Sequence, residues 1–302
     1  MGTPSKEQLP LSIIIVNYKS WNNIDRCLES LAQQKAVAHE VIVVDNASND
    51  GQLATFKTRY PWVQWIENQE NSGFAKGCNL GAKAAKQNWF LFLNPDTILP
   101  KECLITLLPY CEKHPEYHLI AIEQRNEKGK NTYPYGIFPK AWNVISFLRP
   151  IERWVVPKKS KYKIAKTPIG FPDWISGSFV LIRQTDFKSI DGWDERFWMY
   201  CEDIDLSKKA ADKGLTRVVL NRWSCIHSHG GSSRINITVK AMTKAEVIKS
   251  TFRYIEKHFS PIARLIAHSV LATTIGIELL LLAPFSRLKR RIALHLLGLL
   301  KR

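Results

Sequence analysis

The chain has 302 residues, of which 45% are hydrophobic and 23% are charged, so it can bury a sizeable core and is not a disordered chain. The length predicts one large domain or one domain with an appendage. Lysine and arginine outnumber aspartate and glutamate by 43 to 27, and the formal charge of +16 indicates a polyanionic partner: nucleic acid, an anionic membrane or a phosphate-bearing substrate.

Residues 11–122 predict strands and helices in alternation. A continuous apolar run at 11–16 (LSIIIV) has the length of a strand that is buried on both faces. Further strands are predicted at 40–44, 63–66 and 89–93, with helices at 21–34, 52–60 and 73–87 between them. This alternation predicts a parallel sheet with right-handed crossovers.

The regular pattern is lost over residues 126–172, where six prolines and a run of lysines predict a long loop with one helix around 142–148. The lysines of this run are Lys158, Lys159, Lys161, Lys163 and Lys166. A strand at 178–183, a helix at 203–213 and a strand at 216–220 follow, and the chain is predicted to be helical after residue 237.

The cysteines and the N-terminus bear on the cellular compartment. Six cysteines show no C-x-x-C spacing, which predicts reduced and mostly buried thiols in a cytosolic protein. The first ten residues contain no apolar segment of a secretory signal, and Lys6 stands where a myristoylation signal needs serine or threonine.

Polar side chains follow three of the predicted strands at the point where each strand ends. These residues are Asn17 after the first strand, Asp45 after the second, and Asn94 and Asp96 after the fourth. Because open parallel sheets bind ligands at the carboxyl ends of their strands, the three clusters predict a binding site at one edge. The alternative is that these residues only form turns and helix caps.

A helix with glycine at every fourth position follows the third strand. The chain contains no G-x-G-x-x-G motif, which removes the main support for a dinucleotide site. Gly73, Gly77 and Gly81 either permit close packing of this helix or let its backbone amides and Asn79 approach a nucleotide.

Acidic residues open the helix predicted at 203–213. Glu202, Asp203 and Asp205 follow an aromatic run that could wall a pocket and raise the pKa of a carboxyl group. The alternative is that acids at a helix start only favour the helix dipole. Farther on, a strand-like segment at 223–226 delivers His227, with His229 two residues later on the same face. A histidine within reach of Asp96 could complete a divalent-metal site.

Seven motifs in this order resemble the family 2 inverting glycosyltransferases, and among these the rhamnosyltransferase-like branch that builds bacterial surface polysaccharides. The motifs are VNY (16–18), VIVVDNASND (41–50), ENSGFAKGCNLG (70–81), LNPDT (93–97), WISGSFVLIR (174–183), FWMYCEDIDL (197–206) and IHSHGGSS (226–233). The resemblance implies a GT-A fold, an α/β Rossmann-like and mostly parallel sheet flanked by helices, over residues 1–235. A basic, amphipathic and membrane-associating helical tail would follow over residues 236–302.

The resemblance also implies the donor site. Asp45 would hydrogen-bond the pyrimidine base of a UDP- or dTDP-linked sugar with Asn17 beside it, and Gly73 and Asn79 would lie near the nucleotide. Asp96 would correspond to the last acid of the family's D-x-D motif and hold Mg²⁺ or Mn²⁺ on the diphosphate.

The remaining roles concern the second metal ligand, the base and the acceptor. His227 would be the second ligand of the metal, and Asp203 the catalytic base. This chain departs from many relatives in having Asn94 where the D-x-D motif starts, which removes one negative charge from the metal site. Four residues would border the acceptor: Trp174, Gly177, Ser178 and Glu202.

The predicted reaction is the transfer of one sugar, with rhamnose as the candidate, to a hydroxyl of a lipid-linked saccharide with inversion. One alternative is a sugar nucleotidyltransferase, but such enzymes carry a glycine-rich phosphate loop where this chain has NYKSWNN. Another is a basic nucleic-acid-binding protein, which predicts basic residues interleaved with exposed aromatic residues across a face. Here the densest basic cluster borders an apolar helix instead, so we expect no nucleic-acid partner.

The C-terminal tail carries more than half of the net charge, with twelve basic and three acidic residues after position 235. Residues 265–286 are as long as a bilayer span and are interrupted only by His268 and Glu278, which share a helix face with Arg264. A basic cluster follows at Arg287, Lys289, Arg290 and Arg291. We therefore expect peripheral association with the anionic cytoplasmic face of the bacterial inner membrane, rather than a span or a helix packed on the catalytic domain.

Overall fold

The computed structural model describes residues 10–140, 164–228 and 236–299. Residues 11–93 contain β1 (Leu11–Asn17), α1 (Trp21–Ala32), β2 (His39–Asp45), α2 (Gln52–Arg59), β3 (Val63–Glu67), α3 (Phe74–Ala84) and β4 (Trp89–Leu93). This order confirms the predicted alternation. Helix α3 ends three residues before its predicted end because Lys86 and Gln87 donate their amides to Glu40 and Ser12 instead of continuing the helix.

The segment over residues 97–227 is less regular. It contains β5 (Thr97–Ile98), α4 (Cys103–Glu112), β6 (Leu119–Arg125), β7 (Tyr135–Gly136), β8 (Ile169–Gly170), β9 (Trp174–Ile175), β10 (Phe179–Arg183), α5 (Gln184–Ser189), α6 (Glu202–Asp212) and β11 (Arg217–His227). The segments predicted at 216–220 and 223–226 are one strand, β11, with a register shift between Leu220 and Ser224. The helix predicted around 142–148 and most of the lysine run lie outside the described residues.

The main sheet has the strand order β3-β2-β1-β4-β10-β6-β11-β5, with β8 paired to β11. Strands β3, β2, β1 and β4 are parallel to one another, as are β6 and β11, whereas β10 is antiparallel to both of its neighbours. The predicted α/β fold around a mostly parallel sheet is confirmed. Because β10 runs in reverse, its first residues lie at the edge where β1, β2 and β4 end, and Asn94 donates its amide to the Ser178 carbonyl 3.0 Å away.

Helices cover both faces of the sheet. Alternate residues of β1 belong to opposite cores: Ile13 packs with residues of α1 and α4, and Ile14 with residues of α3, α5 and α6. Helix α3 lies close to β1, since a Cβ at Gly77 would lie 2.9 Å from Val16 and a Cβ at Gly81 would lie 2.5 Å from Ile14. Close packing therefore accounts for these two glycines.

All six cysteines are free thiols, and five of them are buried while Cys201 is partly exposed. Burial raises the pKa of the buried thiols, for example to about 12 at Cys103 and Cys111. The prediction of unpaired and mostly buried thiols is confirmed.

Three helices form the C-terminal region: α7 (Ile237–His258), α8 (Pro261–Leu282) and α9 (Arg287–Leu296). Two small apolar clusters join them, one around Ile255 and Leu271 and one around Ala245 and Ile292. Within the described parts of the chain, α8 alone is long and apolar enough to cross a membrane, with a mean hydropathy of 1.9. Only 11% of its most apolar stretch is buried.

Candidate active site

The ends of β1 and β2 meet in a tight hydrogen-bonded cluster. Asn17 donates its side-chain amide to Asp45 Oδ1 at 3.0 Å, and the Ser48 hydroxyl donates to the same oxygen at 2.6 Å. The Ser48 backbone amide donates to Asp45 Oδ2 at 3.1 Å. Both Asn17 and Asp45 are buried. The structure thus brings these two predicted residues together and fixes the direction of the Asp45 carboxylate.

A second polar network lies beside this cluster and was not predicted. Asn46 donates to the Asn71 side chain and to the Gly73 carbonyl, each at 3.0 Å, and accepts from Asn68 at 2.9 Å. Gly73 has φ = +86°, and a Cβ there would lie 2.1 Å from the Trp198 carbonyl. Only glycine fits this position, because the chain there takes a left-handed conformation against the loop before α6.

Asn79 does not join the residues at the sheet edge. Its side chain donates to the Trp193 carbonyl at 2.8 Å and to Glu195 at 3.0 Å, and it accepts from the Trp193 amide at 3.0 Å. These bonds hold the loop between α5 and α6 against α3. The predicted contact of Asn79 with a nucleotide stays a prediction, and the geometry gives this side chain a role in positioning that loop.

The acidic cluster lies in the first turn of α6. Asp203 accepts from the Gly177 amide at 3.2 Å and from the Ile204 amide at 2.8 Å. Burial raises the pKa of its carboxyl group, against the lowering effect of these two amides. Glu202 is buried, and burial together with the neighbouring Asp203 charge raises its pKa well above the ordinary value. Its Oε2 atom has no hydrogen-bond partner. Glu202 therefore retains its proton more readily, and Asp203 is the better placed of the two to accept one.

The turn that enters α6 is strained. Tyr200 and Cys201 have φ values of +71° and +64°, a left-handed conformation that non-glycine residues rarely adopt. Each residue in this conformation costs on the order of 1–3 kcal/mol of folding free energy, and such residues cluster at functional sites. The strained turn directs Asp203 to the backbone of Gly177.

The four predicted acceptor residues fall into two groups. Gly177 and Glu202 lie with Asp203, as described above, whereas the Ser178 hydroxyl is buried and hydrogen-bonded to Gln124. Trp174 donates its indole N–H to the Ile137 carbonyl at 2.8 Å. Two of the four predicted residues therefore lie in the neighbourhood of the candidate base.

His227 and Asp96 meet where β11 pairs with β5. His227 Nε2 lies 3.2 Å from Asp96 Oδ1 and 3.4 Å from the Asn94 side-chain nitrogen. The other ring nitrogen, Nδ1, lies 2.9 Å from Gln124 Oε1, and Gln124 donates its amide to Ser178 at 2.7 Å. With Nδ1–H donating to Gln124, Nε2 presents a lone pair toward the carboxylate.

An imidazole nitrogen and a carboxylate oxygen that converge in this way form a donor pair for a divalent cation. Among the residues that the structure describes, no group of three or more histidine, cysteine, aspartate or glutamate side chains surrounds such a position. His229, which the sequence places on the same face as His227, lies outside the described residues. The pair fits a cation whose other ligands come from substrate phosphates or water.

The sequence did not predict two further features of the site. Gln124 links His227 to Ser178, but a glutamine at the end of a strand carries no sequence signal for this role. Asp205 is fully buried and pairs with Lys257 at 2.7 Å and His258 at 2.6 Å, so α7 is attached to the helix that carries Asp203. The third acid of the cluster thus has a structural partner in the C-terminal region.

Comparison with known proteins identifies the family. The model of Glycosyl transferase family 2 matches residues 12–188. Rhamnosyltransferase WbbL of Escherichia coli is 29% identical over 254 residues, which cover 81% of this chain and 92% of that protein. The N-acetylglucosaminyl-diphospho-decaprenol L-rhamnosyltransferase of Mycobacterium tuberculosis is 25% identical, with 74% and 77% of the two chains covered.

Solved structures agree with the fold. The mannosyltransferase PcManGT of Pyrobaculum calidifontis, in complex with GDP-Man and Mn²⁺, matches with a TM-score of 0.57 at 15% identity and covers 96% of this chain and 79% of its own. S. aureus TarS, residues 1–349, matches with a TM-score of 0.53 at 18% identity and covers 87% and 70%. At this identity the two structures establish the fold, which is GT-A.

Proposed function

The chain belongs to glycosyltransferase family 2, and we propose that it transfers rhamnose from a nucleotide-diphosphate donor to a hydroxyl group of a lipid-linked saccharide in the synthesis of a surface polysaccharide. Two relatives support rhamnose as the sugar, since both carry the name rhamnosyltransferase. The name of the mycobacterial relative supports a polyprenyl-diphosphate acceptor. The observation that carries the proposal is the meeting of three polar groups at one sheet edge: Asn17 with Asp45, Asp96 with His227, and Asp203 with Gly177.

The donor nucleotide would lie against the ends of β1 and β2. The Asp45 carboxylate, held by Asn17 and Ser48, would accept the ring N–H of a uracil or thymine base. Uracil and thymine both have this ring N–H group, so UDP- and dTDP-sugars can both form this hydrogen bond. The left-handed Gly73 lets the chain pass close to the Asn46 network beside the base.

The diphosphate would lie at Asp96 and His227. A divalent metal held there, when bound, neutralises the negative charge that develops on the departing diphosphate. With Nδ1–H donating to Gln124 Oε1, His227 would keep on Nε2 the lone pair that a metal ligand needs, so Gln124 would preserve the donor pair before substrate binds.

Asp203 would act as the general base. Its carboxylate accepts a proton from the attacking sugar hydroxyl, while the Gly177 amide keeps the carboxylate oriented. Attack from the face opposite the leaving diphosphate inverts the anomeric centre. The raised pKa of Asp203 makes it a stronger base than an exposed aspartate.

The proposal includes a place for the enzyme at the cytoplasmic face of the inner membrane. Helix α8 exposes large apolar side chains, including Leu265 at 69% and Leu280 at 78%. The basic residues of α9 directly follow it in the chain. This arrangement would hold the active site close to an acceptor whose lipid is in the bilayer.

A screen of donors tests the proposed function. The purified full-length protein is incubated with Mn²⁺ or Mg²⁺, a polyprenyl-diphosphate-linked N-acetylglucosamine and one sugar nucleotide at a time. We expect release of the nucleotide diphosphate, dependent on the acceptor, to be fastest with dTDP-rhamnose among dTDP-, UDP- and GDP-sugars. A faster reaction with another sugar would contradict rhamnose but not the sugar transfer.

A double-mutant cycle tests the metal site. Asp96→Ala and His227→Ala are each expected to weaken the Mn²⁺-dependent part of nucleotide binding, measured by titration calorimetry with and without Mn²⁺. Because both side chains would hold one ion, their effects should be non-additive by about 0.5–3 kcal/mol. His118→Ala, at a histidine outside the site, is the control. Strictly additive effects, or full activity in excess chelator, would refute the assignment.

A further inference from the structure

A cavity of about 620 Å³ lies between the loop that precedes α6 and the place where α7 ends and α8 begins. It is lined by Arg196, Phe197, Arg253, Glu256, Lys257 and Arg264. None of these residues belongs to the site proposed for sugar transfer. The cavity therefore needs an explanation of its own.

Positive charge dominates this cavity, with four cationic side chains against one carboxylate. Arg196 and Lys257 are each paired with Asp194 at 2.6 Å, so their charges are already compensated. Arg253 and Arg264 differ, because no carboxylate of the described residues lies within 4 Å of either guanidinium. Two guanidinium groups thus face the cavity without a counter-ion.

Both guanidinium groups also carry a buried nitrogen that lacks an acceptor. Arg253 Nη1 and Arg264 Nε are shielded from solvent and form no hydrogen bond. A buried N–H of a charged group without an acceptor is costly, and native structures rarely retain one without a reason. An anion in the cavity would contact the other nitrogens of these two guanidinium groups and compensate their charge. The planar guanidinium matches the paired oxygens of a phosphate group.

The setting of the cavity specifies the kind of phosphate. Arg264 belongs to the first turn of α8, where Ile262, Leu265 and Ile266 are 75%, 69% and 52% exposed. An anion site beside an exposed apolar surface suits a ligand that has both a phosphate and a hydrocarbon chain. We propose that this cavity binds the phosphate group of a membrane lipid, either an anionic phospholipid or the diphosphate of a polyprenyl carrier. The inference rests on the proposed membrane association of α8.

An occupant would also lie near the attachment of α7 to the helix that carries the candidate base. Lys257 lines the cavity and bridges Asp194 to the buried Asp205 in α6. Arg253 and Lys257 are one helical turn apart on α7. A lipid phosphate bound to Arg253 and Arg264 would therefore lie next to the ion pairs that attach α7 to α6. The site would fix the catalytic helix relative to the membrane surface.

The test uses soluble lipid probes, so that diffuse attraction to a charged membrane does not contribute. Full-length protein is titrated by calorimetry with monomeric dihexanoyl phosphatidic acid, farnesyl diphosphate or inorganic phosphate, in the presence of saturating UDP to fill the nucleotide site. We expect saturable one-to-one binding of at least one lipid probe. The R253Q/R264Q variant should lose about tenfold or more of that affinity, because it lacks both unpaired guanidinium groups.

A matched control removes the same charge from another part of the tail. Arg287 and Arg290 are exposed residues of α9, and R287Q/R290Q should bind the soluble probes as the wild type does. A lipid probe should also raise the thermal midpoint of the wild type and of this control, but not that of R253Q/R264Q. The thermal midpoint of unliganded R253Q/R264Q, measured in the same experiment, establishes that this variant is folded.

Each outcome decides the proposal. Preference for phosphatidic acid identifies a phospholipid, and preference for farnesyl diphosphate identifies the polyprenyl carrier. Equal binding of inorganic phosphate would overturn the lipid assignment, and so would equal affinities of the cavity variant and the wild type. Transfer to a water-soluble acceptor, measured on the same variants, should be unchanged, so a failure of this proposal is distinguishable from a failure of the proposed reaction.

Discussion

Asp203→Asn is expected to lower kcat by about a hundredfold or more, the usual effect of removing a general base. Asparagine has the size of aspartate and still offers an oxygen to the Gly177 or Ile204 amide, so the turn into α6 should remain folded. Nucleotide affinity should change little, because the Asp45 and Asp96 groups are untouched. The measurement is kcat at saturating donor and acceptor, with nucleotide binding determined separately by calorimetry.

A second aspartate on the same helix is the control for this substitution. Asp212 lies at the far end of α6, is exposed and pairs with Lys208, so Asp212→Asn should retain wild-type turnover. If Asp203→Asn also retained most of its activity, the base would be another group, with Glu202 and Asp205 as the nearest carboxyls.

The pH profile of the wild type provides an independent check on Asp203. A general base must be deprotonated, so kcat falls as the pH drops through the pKa of its carboxyl group. Because burial raises the pKa of Asp203, the acidic limb of the profile should lie above the range of an exposed aspartate. Nucleotide affinity measured over the same pH range separates this effect from protonation of His227. An acidic limb of the pH profile within the pKa range of an exposed aspartate would contradict the assignment of Asp203 as the base.

The first four parallel strands and their helices could be predicted because local sequence determines them. Strand β1 is apolar at nearly every position since helices cover both faces of the sheet, and α1 repeats its apolar residues with helical spacing. The reversal of β10 had no such signal, because strand direction follows from connections and not from composition. The division of β11 into two predicted strands reflects Asn221 and Arg222, which interrupt the apolar pattern without ending the strand.

The site was predictable only where its residues lie at strand ends. Asn17, Asp45 and Asp96 follow apolar strands, so their shared edge could be inferred from the topology. The partnership of Gln124 with His227 joins residues 103 positions apart in the chain, and no local pattern encodes it. The sequence also could not separate Asp203 from Asp205, which differ only in that α7 covers Asp205 with Lys257 and His258.

The family match decides among the functions that the sequence left open. A sugar nucleotidyltransferase and a nucleic-acid-binding protein both remained compatible with basic charge and an α/β sheet. The match to glycosyltransferase family 2 over residues 12–188 includes the ends of β1, β2 and β4 and the Gly177 turn. The roles of the individual residues within that family remain the proposals tested above.

Full-length protein is expected to sediment with vesicles that contain anionic phospholipid, and a chain that ends at Ser260 is expected to stay in the supernatant. Two polar residues of α8 have partners within the C-terminal region: His268 contacts the Phe252 carbonyl at 3.2 Å, and the exposed Glu278 pairs with Lys289. The exposed face of α8 nonetheless carries large apolar side chains, among them Ile262, Leu265 and Leu280 at 75%, 69% and 78% exposure. A helix packed on the catalytic domain would have this face buried, which the 11% burial of α8 contradicts.

Full-length variants make the same test without shortening the chain. Leu265→Ser combined with Leu280→Ser should reduce sedimentation strongly while leaving the fold intact, because both side chains are exposed. Leu53→Ser, at a partly buried leucine of α2 outside the tail, is the control and should sediment with vesicles as the wild type does.

High salt or alkali should release the bound wild type, since α8 would lie in the plane of the membrane and the basic residues of α9 would contribute about 1 kcal/mol each. If only detergent, and neither high salt nor alkali, extracts the protein, α8 spans the membrane. A full-length protein that does not bind anionic vesicles would refute membrane association.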